Sequence, residues 1–285
     1  GHKTTHNTMI ILEYHNRILL DTVKERLESD KRIIIDILFS DFDGVKFHVW
    51  VDENQTNVLI VSLFWDVVPD LLKNGGNAKL KRDYGPFLQP QPEDGFHVTL
   101  KINLDNIKPQ QKANLPFHIA MLKRNVFAAP FAKFFDACAK KATLPPLELK
   151  YRTDEAVYLK TEGDRCIVIF NIRFSDPDDQ LLGKVFIQEF VHARKSIAAA
   201  PSVSFSLVEP PRELEAFPHI QSDESQGFVS FVFHPAHMQG RKRAGTISNL
   251  QIFRNYLHYH IKCSKAYMHT RMRARVRSLL QVLNR

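Results

Sequence analysis

The residues of this chain that could do chemistry are few, and most are spaced wrongly for it. His258-x-His260-x-x-Cys263 has the look of a metal-ligand run. On a helix, however, His258 and His260 point about 200° apart and cannot share a tetrahedral ion. Gly183-Lys184 is followed by Val185 and lacks the first glycine of a phosphate-binding loop, so a nucleotide cradle is excluded. Asp41-Phe-Asp-Gly44 resembles a kinase metal motif without its glycine-rich or catalytic loops, and reads as a hairpin turn. Asp176, Asp178 and Asp179 suit a helix N-terminus better than a calcium loop, whose twelve-residue pattern is missing. No Gly-x-Ser-x-Gly elbow and no acid–base constellation emerges, so the expectation is a protein that is not an enzyme, with no cofactor and no metal.

The chemistry that stands out is charge. Residues 246–285 contain no Asp, Glu, Gly or Pro and eight Lys or Arg. The chain has 39 basic and 31 acidic residues, so removing this segment leaves 31 against 31. The whole net charge of +8 therefore sits in one C-terminal element. On a 3.6-residue period, Leu250, Phe253, Leu257, Ile261, Met268 and Met272 form an apolar stripe, resumed at Leu279 and Leu283. Arg254, His258, Lys262, Lys265, His269, Arg273 and Arg277 form an adjacent basic stripe, and Arg275 interrupts the apolar one. A helix of forty residues would run about 60 Å, longer than a domain of this size. Its apolar stripe needs a cover, and its far part calls for a helix from another chain. With no acid on this helix, self-pairing would oppose like charges, so a partner with acidic flanks fits better.

The elements that must position this helix follow from the periodicity. Helices are expected at 16–29, 67–82 (interrupted near Gly75-Gly76), 116–141 and about 177–195, the last opened by Ser175-Asp-Pro-Asp-Asp179. Strands are expected at 9–12, 32–40, 45–51, 57–64, 96–104, 147–150, 156–161, 166–174, 203–208 and 227–234. The resulting order, helix, three strands, helix, two strands, helix, is read twice, with 116–141 shared at the join. The expected fold class is α+β: two two-layer α/β domains followed by a long C-terminal helix. The expected divisions are 1–8 as a leader or cloning remnant, 9–120, 121–245 and 246–285. Three scattered cysteines, Cys138, Cys166 and Cys263, suit a reducing compartment. No apolar run is long enough to span a bilayer, so stable membrane insertion is not expected.

Several segments resemble the second-subunit family of the actin-related protein 2/3 complex, which nucleates branched actin filaments. The longest is 256–274, Tyr-Leu-His-Tyr-His-Ile-Lys-Cys-Ser-Lys-Ala-Tyr-Met-His-Thr-Arg-Met-Arg-Ala. Gly183-Lys-Val-Phe-Ile-Gln-Glu-Phe190, Asp41-Phe-Asp-Gly-Val45, Tyr84-Gly-Pro-Phe-Leu88, Met121-Leu-Lys-Arg-Asn125, Glu209-Pro-Pro211 and Val282-Leu-Asn-Arg285 occur in the family's order. The resemblance implies two α/β domains and a long helix packed on a helix of the complex's fourth subunit. It also implies a non-enzymatic scaffold that helps bind the side of a mother actin filament in the cytoplasmic cytoskeleton. On that basis Leu250, Phe253, Leu257, Ile261, Met268, Met272 and Leu279 are expected in the inter-subunit helix seam. Lys262, Lys265, Arg271, Arg273, Arg275, Lys123 and Arg124 are expected to meet acidic surfaces. A nucleic-acid-binding protein with a basic helix in a groove is the alternative, disfavoured by balanced charge elsewhere and the apolar stripe. A membrane-surface helix is a third reading.

Overall fold

The computed structural model describes residues 12–29, 34–197 and 199–284. Residues 1–8, the expected strand at 9–12 except for Leu12, and the start of the expected strand at 32–40 lie outside the described residues. Helix α1 spans Arg17–Glu28 and is capped by Asn16, whose side chain accepts a hydrogen bond from the Leu19 amide. It buries Leu19 and Val23. Strands β1 (Asp36–Ser40), β2 (Lys46–Val51), β3 (Val58–Phe64) and β4 (Val98–Asn103) form an antiparallel sheet in that order. The turn between β1 and β2 places Gly44 at φ +76°, a backbone conformation that glycine adopts without strain.

Between β3 and β4 lie α2 (Val68–Leu71) and α3 (Asn77–Tyr84), joined by a widened turn at Leu72–Gly76 with Gly75 at φ +102°. This is the interruption expected from the glycine pair. In this half one strand, β4, follows the helix, with an isolated bridge from Leu88 to Leu100 beside it. Short helices α4 (Pro109–Lys112) and α5 (Leu115–Ala120) lead into α6 (Leu122–Ala139).

The position of α6 explains why its sequence shows no single apolar face. Phe127, Phe131, Phe134 and Phe135 are all buried, because the helix packs on α2 and α3 on one side and on the second sheet on the other. Phe127 meets the rings of both Trp65, just after β3, and Tyr151, which belongs to the second half of the chain. The second sheet contains β5 (Leu147–Leu149), β6 (Ala156–Glu162), β7 (Arg165–Arg173), β8 (Ser202–Leu207) and β9 (Gln226–Phe233), in the order β5-β6-β7-β9-β8. Helix α7 (Pro177–Arg194) crosses between β7 and β8, capped by Asp176 with Pro177 in its first turn. Residues 209–225 lay Leu214, Phe217 and Ile220 over Tyr158, Ile169 and Phe228 on the sheet's outer face. After a single turn, α8 (Pro235–Met238), the chain enters α9 (Gly240–Leu283). One hydrophobic core runs from Leu19 through both sheets to Ile261 on α9.

Candidate interaction surface

The residues of α9 divide it into two parts. From Gly240 to Ile261 the helix lies on the second sheet, α6 and α7, because β7 and β9 offer aromatic side chains that need an apolar lid. Phe253 packs edge-on to Phe231 at 4.7 Å between ring centroids and against Phe170 at 5.4 Å. Leu257 and Ile261 are 0 % and 1 % exposed. A close helix approach holds α7 here: a Cβ on Gly183 would sit 2.9 Å from the Phe174 ring and 3.3 Å from Ile261. His258 packs beside Phe174, and His260 stacks on Phe186. Burial, then the charge of Arg254, pushes the His258 imidazole down to about 4, so it is neutral.

Electrostatics fasten the same part. The Glu155 carboxylate has no exposed surface and takes both arms of the Arg254 guanidinium, Nε at 2.6 Å and a terminal nitrogen at 2.8 Å. It also forms an ion pair with Arg152 at 3.3 Å and accepts a hydrogen bond from the Arg173 amide at 3.0 Å. Burial alone would lower the Arg254 guanidinium, but its bond and attraction to Glu155 outweigh this and raise it. Next to it, Asn255 donates to Asp43 at 3.3 Å, and Asp43 also pairs with Lys123 and Arg152. Burial would raise the Asp43 carboxyl, but Lys123 and then Arg152 hold it below the usual range.

Beyond Ile261 the helix leaves the body. From Lys262 to Asn284, every described residue is exposed except Lys265, which is half-buried. The apolar residues Met268, Met272, Val276, Leu279, Leu280, Val282 and Leu283 all lie open, Met272 at 61 %. Most of them continue the buried stripe of the first half. This overhang of 22 residues is about 33 Å long. Lys262, Arg271, Arg273, Arg275 and Arg277 carry no ion pair among the described residues. Arg271 rests over the ring of Tyr267, 5.5 Å from its centroid.

Two corrections to the expected site follow. Leu250, Phe253, Leu257 and Ile261 belong to the chain's own core, so no partner helix can reach them; Met268, Met272 and Leu279 remain available. The helix starts at Gly240, six residues earlier than expected; this added turn is exposed apart from half-buried Arg243, which pairs with Asp136 on α6. Lys123, Arg124 and Lys265 have internal partners. Lys123 bridges Asp41 and Asp43, Lys265 ties Asp176 and Asp179, and Arg124 donates to Ser248 at 2.8 Å and the Ala244 carbonyl at 3.0 Å. Lys262, Arg271, Arg273 and Arg275 stay exposed. The stripe reading missed Val282, which its own period includes, and Val276 at its edge. It also missed the Glu155–Arg254 pair, since nothing in the sequence links positions 99 residues apart.

A body that covers the first half of its longest helix, and leaves the second half apolar, basic and bare, is that of an assembly subunit. A family model described as Arp2/3 complex, 34 kD subunit p34-Arc matches residues 61–285. The chain is 47 % identical over 279 residues to "Actin-related protein 2/3 complex subunit 2" of Dictyostelium discoideum, covering 97 % of this chain and 93 % of that one. It is 40 % identical over 299 residues to the protein of the same name from Schizosaccharomyces pombe, covering 97 % and 94 %. The chain belongs to the p34-Arc family. Nothing in the comparisons supports the nucleic-acid alternative, and no described helix is long and apolar enough to cross a membrane.

Proposed function

We propose that this chain is a non-catalytic scaffold and actin-binding subunit of an actin-related protein 2/3 complex, acting in the cytoplasmic actin cytoskeleton. The bare distal half of α9 carries this reading. Its apolar stripe pairs with a helix of the complex's fourth subunit, and its basic edge meets the acidic side of the mother filament. The two α/β units, divided near residue 120, serve as the mount for this arm. The partner stripe reads as a short heptad run, with Lys265, Met272 and Leu279 at one core position and Met268, Arg275 and Val282 at the other. Arg275 inside the seam calls for an acceptor on the partner at that level, which fixes register as buried polar residues do in coiled coils. Covering each large apolar side chain contributes roughly 1.5–3 kcal/mol if burial is complete.

The experiment is co-expression with the fourth subunit after Met272→Asp and Leu279→Asp. Both positions are exposed, so the free chain should fold as before. Complex recovery should fall at least tenfold; undiminished recovery would reject the seam.

A further inference from the structure

We infer that Phe42 is an aromatic anchor for the same acidic protein surface that meets the basic edge of α9. This rests on the proposed function and deepens it, since that surface is then the side of an actin filament. Phe42 is 94 % exposed, the most exposed large apolar side chain among the described residues. Yet its backbone is held from every side. The turn closes by hydrogen bonds from the Asp41 amide to Val45 (2.9 Å) and from the Gly44 amide to Asp41 (3.1 Å). The Asp41 carboxylate accepts from the amides of Asp43 (2.9 Å) and Val45 (3.0 Å). Lys123 bridges Asp41 and Asp43, while Arg152 donates to the Phe42 carbonyl at 2.9 Å and to Asp43 at 2.7 Å. A bulky apolar ring on so rigid a mount loses little freedom on binding, which is the property of an interface hot spot.

Its surroundings name the partner's chemistry. Phe42 rims a cleft of about 520 Å³ together with half-exposed Tyr14 and Ile18, and with Gln251 and Asn255 of α9. At 100° per residue, Gln251 and Asn255 share one edge of the helix with Lys262, His269 and Arg273. The cleft and the basic edge therefore form one face, about 27 Å from Asn255 to Arg273. The two carboxylates beside Phe42 are neutralised from within by Lys123 and Arg152, so they do not repel an acidic partner. What remains outward is cationic and aromatic apart from Glu13 on the cleft rim, whose carboxylate is paired with Arg17 at 3.8 Å. It fits an acidic protein surface with an apolar socket, and a lone ring on a polar turn offers a bilayer little to bury.

The test uses the reconstituted complex carrying Phe42→Ser or Phe42→Trp, sedimented with actin filaments across a salt series, beside a Lys262→Glu/Arg273→Glu variant. Phe42→Ser should weaken filament binding about tenfold or more with assembly intact, and Phe42→Trp should retain most of it. If the charge variant weakens binding and Phe42→Ser does not, the anchor is overturned while the filament reading stands. If neither changes binding, the filament reading falls and the anchor with it. Loss of assembly with Phe42→Ser would place the socket on a neighbouring subunit, also overturning the inference. So would loss of binding to anionic phosphatidylserine vesicles with filament binding unchanged.

Discussion

The two halves of α9 are built from the same acid-free sequence and meet opposite environments. In the first half the cations that touch the body find acids in other elements: Arg243 with Asp136, Arg254 with Glu155, and Lys265, at the boundary, with Asp176 and Asp179. In the second half the exposed arginines find none among the described residues. The apolar residues differ too. Phe253, Leu257 and Ile261 fit fixed aromatic neighbours, whereas Met268 and Met272 are pliable side chains that adapt to a surface brought by another molecule. Lack of acid on a helix thus has two meanings. It can mark complementarity to the chain's own carboxylates or to someone else's, and only the packing separates the two.

The largest effect that would break this contrast is at Glu155. Arg254→Met leaves its carboxylate buried with one of its two guanidinium partners gone, and should cost about 3–5 kcal/mol in chemical denaturation. A loss under about 1 kcal/mol would mean that the first half is held by packing alone. Next, Leu257→Ala should cost about 2–5 kcal/mol, while Leu279→Ala on the free chain should stay within about 0.5 kcal/mol. Equal losses at the two positions would show that the chain covers its own distal half in solution.

Smaller still is the response to acid. His258 is held neutral in the folded chain near a value of about 4, below its unfolded value of about 6.5. Its folded pKa is depressed, so the unfolded chain takes up the proton first. Stability should therefore fall as pH drops from about 6.5 to about 4, by at most roughly 3 kcal/mol. His258→Phe should flatten thermal unfolding over that window; an unchanged slope would assign the acid sensitivity elsewhere. The smallest effect is Arg273→Glu, which should leave the melting temperature of the free chain unmoved while reducing the salt dependence of filament binding.

Much of this organisation was legible in the sequence. Asn16, Gly44, Gly75 and Asp176 each stand where backbone chemistry demands a cap or a turn, and the elements start and stop at them. The amphipathic period of the last helix was equally plain, and Met268, Met272, Leu279, Lys262, Arg271, Arg273 and Arg275, singled out from it, all lie exposed. The point along that helix where the body ends could not be read. The stripe lapses at Ser264 and Lys265 and resumes at Met268, but a gap in a stripe does not say that the body ends there; the border lies where the N-terminus of α7, 89 residues earlier at Asp176, meets Lys265. For the same reason Lys123 and Arg124 looked like surface cations. Their partners come from a turn 80 residues earlier and from a helix 120 residues later.

The Glu155–Arg254 pair has a mechanical side. It grips α9 near the middle of its docked length, and Lys265 with α7 grips it again where it leaves the body. Two grips eleven residues apart make the overhang a cantilever rather than a tether. With an arm of about 33 Å, each degree of tilt at the root moves the tip by about 0.6 Å. Force applied to the bare end is therefore delivered as torque to the second sheet and α7, the elements that hold both grips.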